Sequence, residues 1–184
     1  MAIIEVKSLT KVYGSDGVET HALRGVDFNV EAGEFTAVAG PSGSGKTTLL
    51  NIIGGLDKPT SGSVKLDGKL ITGMSASELS ELRLRNIGFV FQAYNLVPVL
   101  TALENVEFVM LLQRVPVEER RRRAREMLEE VGLADYVNRR PNLMSGGQQQ
   151  RVAVARAMVS RPRIILADEP TANLDSETGA SLLN

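Results

Sequence analysis

Apolar and polar positions along the chain change their period part-way. Up to about residue 92 the apolar segments are short and lie between Gly and Asp: "IIEV" (3–6), "VDFNVE" (26–31), "EFTAVAG" (34–40) and "GSVKLDGK" (62–69). Alternating or continuous apolar runs of that length predict β-strands. "SASELSELRLRN" (75–86) then predicts a short helix, with Ser75 and Glu78 at capping-box spacing, and "NIGFVFQ" (86–92) predicts another strand. Beyond Gln92 the period becomes helical. Thr101 and Glu104 have capping-box spacing at the start of "LENVEFVMLLQR" (103–114). In "VEERRRRAREMLEEVG", Ala124, Met127, Leu128 and Val131 fall at i, i+3, i+4 and i+7, and Gly132 supplies a stop. Pro141 interrupts the pattern. A helix is expected from Gly146 to Ser160, and "RIILADEP" (163–170) predicts a parallel strand buried on both faces.

Composition narrows the classes. A chain of 184 residues suits one domain, or one with a subdomain, and buries a sizeable core. A net charge of −1 argues against a polyanion-binding surface, so no nucleic-acid partner is expected. The arginine run of 120–123 is balanced by Glu118, Glu119, Glu126, Glu129 and Glu130 and reads as a solvated helix face. Cysteine is absent and His21 is the only histidine, which removes disulfides and thiolate or His-rich metal sites. The N-terminus lacks a secretory core and no run of about 18 apolar residues occurs, so a cytoplasmic location is expected.

Four stretches carry chemistry. "GPSGSGKTT" (40–48) follows an apolar strand pattern and opens an apolar helix pattern, as a phosphate-binding loop requires. Gly40, Gly43 and Gly45 would let the loop, with Pro41, Ser42 and Ser44 between them, curl around phosphate with its amides inward, and the following helix would add its positive end. Lys46 can reach the β- and γ-phosphates of a nucleotide, and Thr47, followed by Thr48, can offer its hydroxyl to Mg²⁺. Asp168 ends an apolar run, where it can hold Mg²⁺, and Glu169 can orient and polarise the attacking water. Gln92 ends another run, where a neutral amide can contact both ion and water. In "LMSGGQQQR", Ser145 and Gln148 have capping-box spacing around the bare backbone of Gly146 and Gly147. That makes a second anion site at a helix N-terminus, or simply a flexible cap.

Together these residues resemble the nucleotide-binding domain of ATP-binding cassette (ABC) proteins over essentially the whole chain. "GPSGSGKT" is similar to Walker A, Phe91-Gln92 to the Q-loop, "MSGGQ" to the signature, "IILADE" to Walker B and "ANLD" (172–175) to the D-loop, all in the family's order. Tyr13 in "KVYG" sits where the family has an aromatic that stacks on adenine. The resemblance implies an α/β fold with a P-loop NTPase (RecA-like) core, an N-terminal antiparallel β region and a helical subdomain. The core would take 1–91 and 161–184, and the helical subdomain 92–160. It implies an ATPase whose second copy joins head to tail, with Ser145 and the Gly147 amide reaching the γ-phosphate in trans, and a membrane permease as the other partner. The location would then be peripheral, on the inner face of the cell membrane. "FQAYNLVPVLTALENV" and "LADEPTANLDSETG" are most similar to the lipoprotein-release and macrolide-export ATPases, with the cell-division ATPase close by. Two departures stand out. Met144 replaces the commoner leucine before "SGGQ", and the sequence stops at Asn184, before the place of the family's switch histidine and one further core strand. Two other readings stay open. A soluble ABC ATPase of DNA repair or chromosome structure usually has a long coiled coil between Q-loop and signature, and no sustained heptad occurs here. A nucleotide-binding fragment without full activity is the other.

Overall fold

A computed structural model describes residues 2–15 and 18–170. The chain divides into two compact units, Met1–Arg83 and Leu84–Asn184. In the first, β1 (Ala2–Ser15) and β2 (Val18–Glu31) form a long antiparallel hairpin, and β3 (Ser61–Leu66) and β4 (Lys69–Leu70) extend it in the order β2-β1-β3-β4. Cross-strand partners Ile4–Leu66 and Val6–Val64 fix the register so that apolar side chains share one face. The register shifts between Val6 and Leu9, where Ser8 takes φ 46°. The buried face is built from Ile4, Val6, Leu9, Leu23, Val30, Val64 and Leu66. The helix α1 (Lys46–Ile53) buries Leu49, Ile52 and Ile53. Helix α2 (Ala76–Asn86) starts as its sequence implies: the Glu78 amide donates to Ser75 Oγ at 3.3 Å and the Ser75 amide to Glu78 Oε2 at 2.8 Å.

In the second unit β5 (Ile87–Val90) and β6 (Ile164–Ala167) pair in parallel, with Ile87 opposite Ile164 and Val90 opposite Ala167. Helices α3 (Ala102–Leu112), α4 (Val117–Glu130) and α5 (Gly146–Met158) close over a core of Val106, Met110, Ala124, Leu128, Leu133, Met144, Val152 and Ala155. Met144 is therefore a core residue, which an apolar-for-apolar replacement preserves. Both expected capping boxes form, at Thr101/Glu104 and Ser145/Gln148. The arginine run lies along α4. Arg122 pairs with Glu119 and Glu126 at 2.9 and 2.7 Å, and Arg120 and Arg121 face Glu107 at 3.5 and 3.6 Å. No helix among the described residues is long and apolar enough to cross a membrane.

Three expectations are corrected. Residues 34–40, read as a strand, carry no strand assignment, and Phe35 is 84% exposed. A strand exists only through a neighbour's ladder, and no described strand pairs with this segment. Strand β6 is buried on one face rather than two: Ile164 and Leu166 are inside, Ile165 and Ala167 outside. Helix α5 ends at Met158, two residues short of Ser160. The D-loop residues 172–175 lie outside the described residues.

Candidate functional site

The phosphate loop runs from Gly40 into α1 across Pro41, Ser42, Gly43 and Ser44. Its sharp turns use backbone conformations that other residues rarely adopt: Gly43 has φ 77° and Gly45, the N-cap, φ 94°. A Cβ on Gly45 would stand 2.5 Å from the Ala22 carbonyl oxygen, so this glycine is also required for packing. The Ser44 amide donates to the Pro41 carbonyl at 3.2 Å, closing the loop. Lys46 curls back and donates to the carbonyls of Gly40 and Pro41 at 2.9 and 3.1 Å. Its ammonium therefore lies over the loop it would share with phosphates. No acidic residue occupies the first turn of α1, so nothing there opposes an anion. Thr47 is exposed and Thr48 half-buried.

Tyr13, on β1 in the same unit, is 43% exposed. Its hydroxyl donates to Asp57 Oδ2 at 2.7 Å, and the Lys11 ammonium stands 4.6 Å from its ring centroid. Lys11 also donates to Asp57 Oδ1 at 2.8 Å. Burial raises the Asp57 carboxyl, but the hydrogen bonds from Lys11, Tyr13 and the Lys58 amide outweigh it and leave the pKa below its ordinary value.

The second unit assembles the other motifs. The parallel register of β5 and β6 carries both chains out at the same level, and the Asp168 amide continues the ladder to the Val90 carbonyl at 2.9 Å. Gln92 Nε2 consequently reaches Glu169 Oε2 at 3.2 Å. Asp168 is half-buried beside them, while Gln92 and Glu169 are exposed. Glu169 adopts φ 48°, a left-handed conformation that side-chain-bearing residues rarely hold. Buried Gln150 of α5 fastens this turn by donating to the Pro170 carbonyl at 2.6 Å.

The signature helix α5 begins with Ser145 accepting from the Gln148 amide at 3.2 Å, while Gln148 Oε1 accepts from the Ser145 amide at 3.0 Å. Ser145 and Gly146 are exposed; Gly147 and Gln148 are half-buried. A side chain on Gly146 would meet the Tyr94 hydroxyl at 3.2 Å. Tyr94 and Asn95, just past Gln92, take φ 55° and 49°, and their carbonyls accept from Arg156 of α5 at 2.7 and 2.6 Å. Desolvation lowers the pKa of that half-buried guanidinium. Arg156 and Gln150 were not singled out from sequence, because each looks like an ordinary polar helix position. Lys11, at i−2 from Tyr13, carried a faint signal, since alternate strand residues share a face.

The comparisons with known proteins agree on one family. The ABC transporter family profile, described as "ABC transporter", matches residues 23–172. An uncharacterized ABC transporter ATP-binding protein of Thermotoga maritima is 54% identical over 181 residues, covering 98% of this chain and 77% of that protein. The macrolide export ATP-binding/permease protein MacB of Aggregatibacter actinomycetemcomitans is 46% identical over 183 residues, covering 100% of this chain and 28% of MacB. Among solved structures, a dimeric post-hydrolysis state of the ATP-binding cassette MJ0796 bound to ADP and Pi superposes with TM-score 0.93 at 48% identity, covering 98% of this chain and 79% of that one.

Proposed function

The chain belongs to the ABC transporter family, and from that premise we propose how its residues share the work. It is an ATP-binding subunit that hydrolyses ATP, pairs with a second such subunit and drives a membrane permease. The loop 40–45 and Lys46 hold the β- and γ-phosphates through inward amides and one fixed cation. Tyr13 stacks on adenine. Thr47, Gln92 and Asp168 are oxygen donors, the kind Mg²⁺ prefers, and Mg²⁺ when bound would neutralise charge developing on the phosphates. Glu169 orients the attacking water and accepts its proton, and Gln92 steadies that carboxylate. Ser145, Gly146, Gly147 and Gln148 present the N-terminus of α5 to the γ-phosphate bound by the second subunit.

One observation carries this assignment. The parallel pairing of β5 and β6 sets the Gln92 amide 3.2 Å from Glu169, with Asp168 next in the chain. An amide, a general base and a metal-holding carboxylate at adjoining strand ends are what in-line attack of water on a phosphoryl group needs. The core of 1–91 with 161–184 and the helical subdomain of 92–160 remain the proposed division of labour. The working location is the cytoplasmic face of the membrane. Similarity to a macrolide exporter favours the export and lipoprotein-release group.

The test is Glu169→Gln. It should retain Mg-ATP, lose turnover and accumulate an ATP-bound dimer on gel filtration. A variant that binds no ATP would assign Glu169 a structural role instead.

A further inference from the structure

Tyr13 is held by two residues that have been given no role so far, Lys11, which opens "KVYG", and Asp57. Lys11 and Tyr13 lie two apart on β1, so their side chains emerge on one face. The Lys11 ammonium stands over the ring at 4.6 Å and donates to Asp57 Oδ1 at 2.8 Å and to the Lys58 carbonyl at 2.7 Å. The Tyr13 hydroxyl completes the circuit on the other carboxylate oxygen at 2.7 Å. Asp57 itself is anchored: its amide donates to the Asn51 carbonyl of α1 at 3.2 Å, and Oδ1 accepts from the Lys58 amide at 2.7 Å. Backbone latches run alongside, from the Val12 amide to Thr60 Oγ1 and from the Thr60 amide to the Thr10 carbonyl, both at 2.9 Å. The Lys11 and Asp57 side chains are only 13% and 30% exposed, whereas Tyr13 keeps 43% of its surface open. One ring face therefore lies beneath a cation.

We propose that Lys11 and Asp57 are positioning residues that fix Tyr13 as a one-sided stacking platform for the nucleotide base. The inference rests on the reading that Tyr13 meets the base. A tyrosine left to rotate would have to be ordered at each binding event; here folding has already ordered it. Because the hydroxyl is committed to Asp57, it is withheld from the base edge. The platform therefore meets a π-face, which every purine has, and does not distinguish adenine from guanine. The anchorage of Asp57 on α1 also ties the platform to the helix that begins with Lys46.

The experiment measures equilibrium binding of Mg-ATP, Mg-GTP and Mg-tripolyphosphate to wild type, Lys11→Met, Lys11→Arg, Asp57→Asn and Tyr13→Ala. Lys11→Met and Asp57→Asn should weaken ATP and GTP alike by about 3- to 10-fold, the scale of re-ordering one side chain, and leave tripolyphosphate unchanged. Lys11→Arg should restore most of the loss, since a guanidinium can also span ring and carboxylate. If Tyr13→Ala lowers the ratio of ATP to tripolyphosphate affinity but Lys11→Met and Asp57→Asn do not, the positioning role is overturned while the platform stands. If Tyr13→Ala also leaves that ratio unchanged, the platform reading itself fails. Equal weakening of all three ligands overturns the proposal in favour of a general structural role. Should the charge variants unfold, Tyr13→Phe decides, because it keeps the ring and removes only the bond to Asp57. A wild-type ratio in Tyr13→Phe refutes the Asp57 arm.

Discussion

Replacing Gly45 by alanine separates two demands that the phosphate loop makes on one residue. Its backbone sits at φ 94° and ψ 8°, which for an L-residue costs roughly 1–2 kcal/mol. Its Cβ would also stand 2.5 Å from the Ala22 carbonyl oxygen and 3.1 Å from Leu23 Cδ2. Ala22 is flanked on β2 by His21 and Leu23, paired with Val12 and Lys11, so relief of the clash must move a hydrogen-bonded strand or the start of α1. Forced backbone shifts of that kind cost about 1–3 kcal/mol. The sum for Gly45→Ala is therefore about 2–5 kcal/mol. Gly43→Ala is the control: φ is 77°, but nothing lies within 4 Å of its Cβ, leaving only the strain of about 1–2 kcal/mol. Urea unfolding of both variants gives the difference, expected at about 1–3 kcal/mol against Gly45→Ala. Because α1 starts at the clash, Mg-ATP affinity measured by titration should fall with it. Equal unfolding free energies for the two variants would refute the close-approach argument and leave only strain.

Lys46→Ala should abolish Mg-ATP binding or turnover, since the phosphates lose their fixed cation; wild-type turnover would sink the phosphate-loop assignment. Glu169→Gln should slow hydrolysis on the order of 10²–10⁴-fold, the scale of a positioned base, in a single-turnover assay. Residues 93–103 follow Gln92 directly and are expected to meet the permease, so Val99→Glu, at a position 70% exposed, should uncouple hydrolysis from the permease without unfolding the protein, and retained permease stimulation would count against that surface. Leu96 is the poorer probe, since it packs on the helical core and a charge there would destabilise it. The Asp57 carboxyl has a depressed folded pKa, so its contribution is fully present above the ordinary value of 3.8 and is lost as pH falls through the folded value. Acid unfolding of wild type and Asp57→Asn should accordingly converge only on the acid side of that value, and convergence near neutrality would contradict the pairing.

What the sequence determined is what is local. A phosphate loop, three capping boxes and an amphipathic arginine-rich helix are each written within a few residues, where backbone geometry and one turn of helix supply all the partners. Their order identified the family, and the acids after "IILA" and the glutamine after "FVF" were recognisable as strand-end chemistry. Tertiary structure decided whatever depends on a partner far along the chain. Residues 34–40 have every local mark of a strand, yet a strand is a relation between two segments and no described strand pairs with them. Ile165 is as apolar as Ile164, but with cover on one face only the second is buried. The contact between Gln92 and Glu169 comes from the β5–β6 register, and Gln150 reaches Pro170 only because α5 packs in the same unit. Lys11 finds Asp57, and Arg156 finds the loop after Gln92, across intervals that no periodicity encodes. Burial and long-range pairing are set by which surfaces meet, and only the folded chain brings those surfaces together.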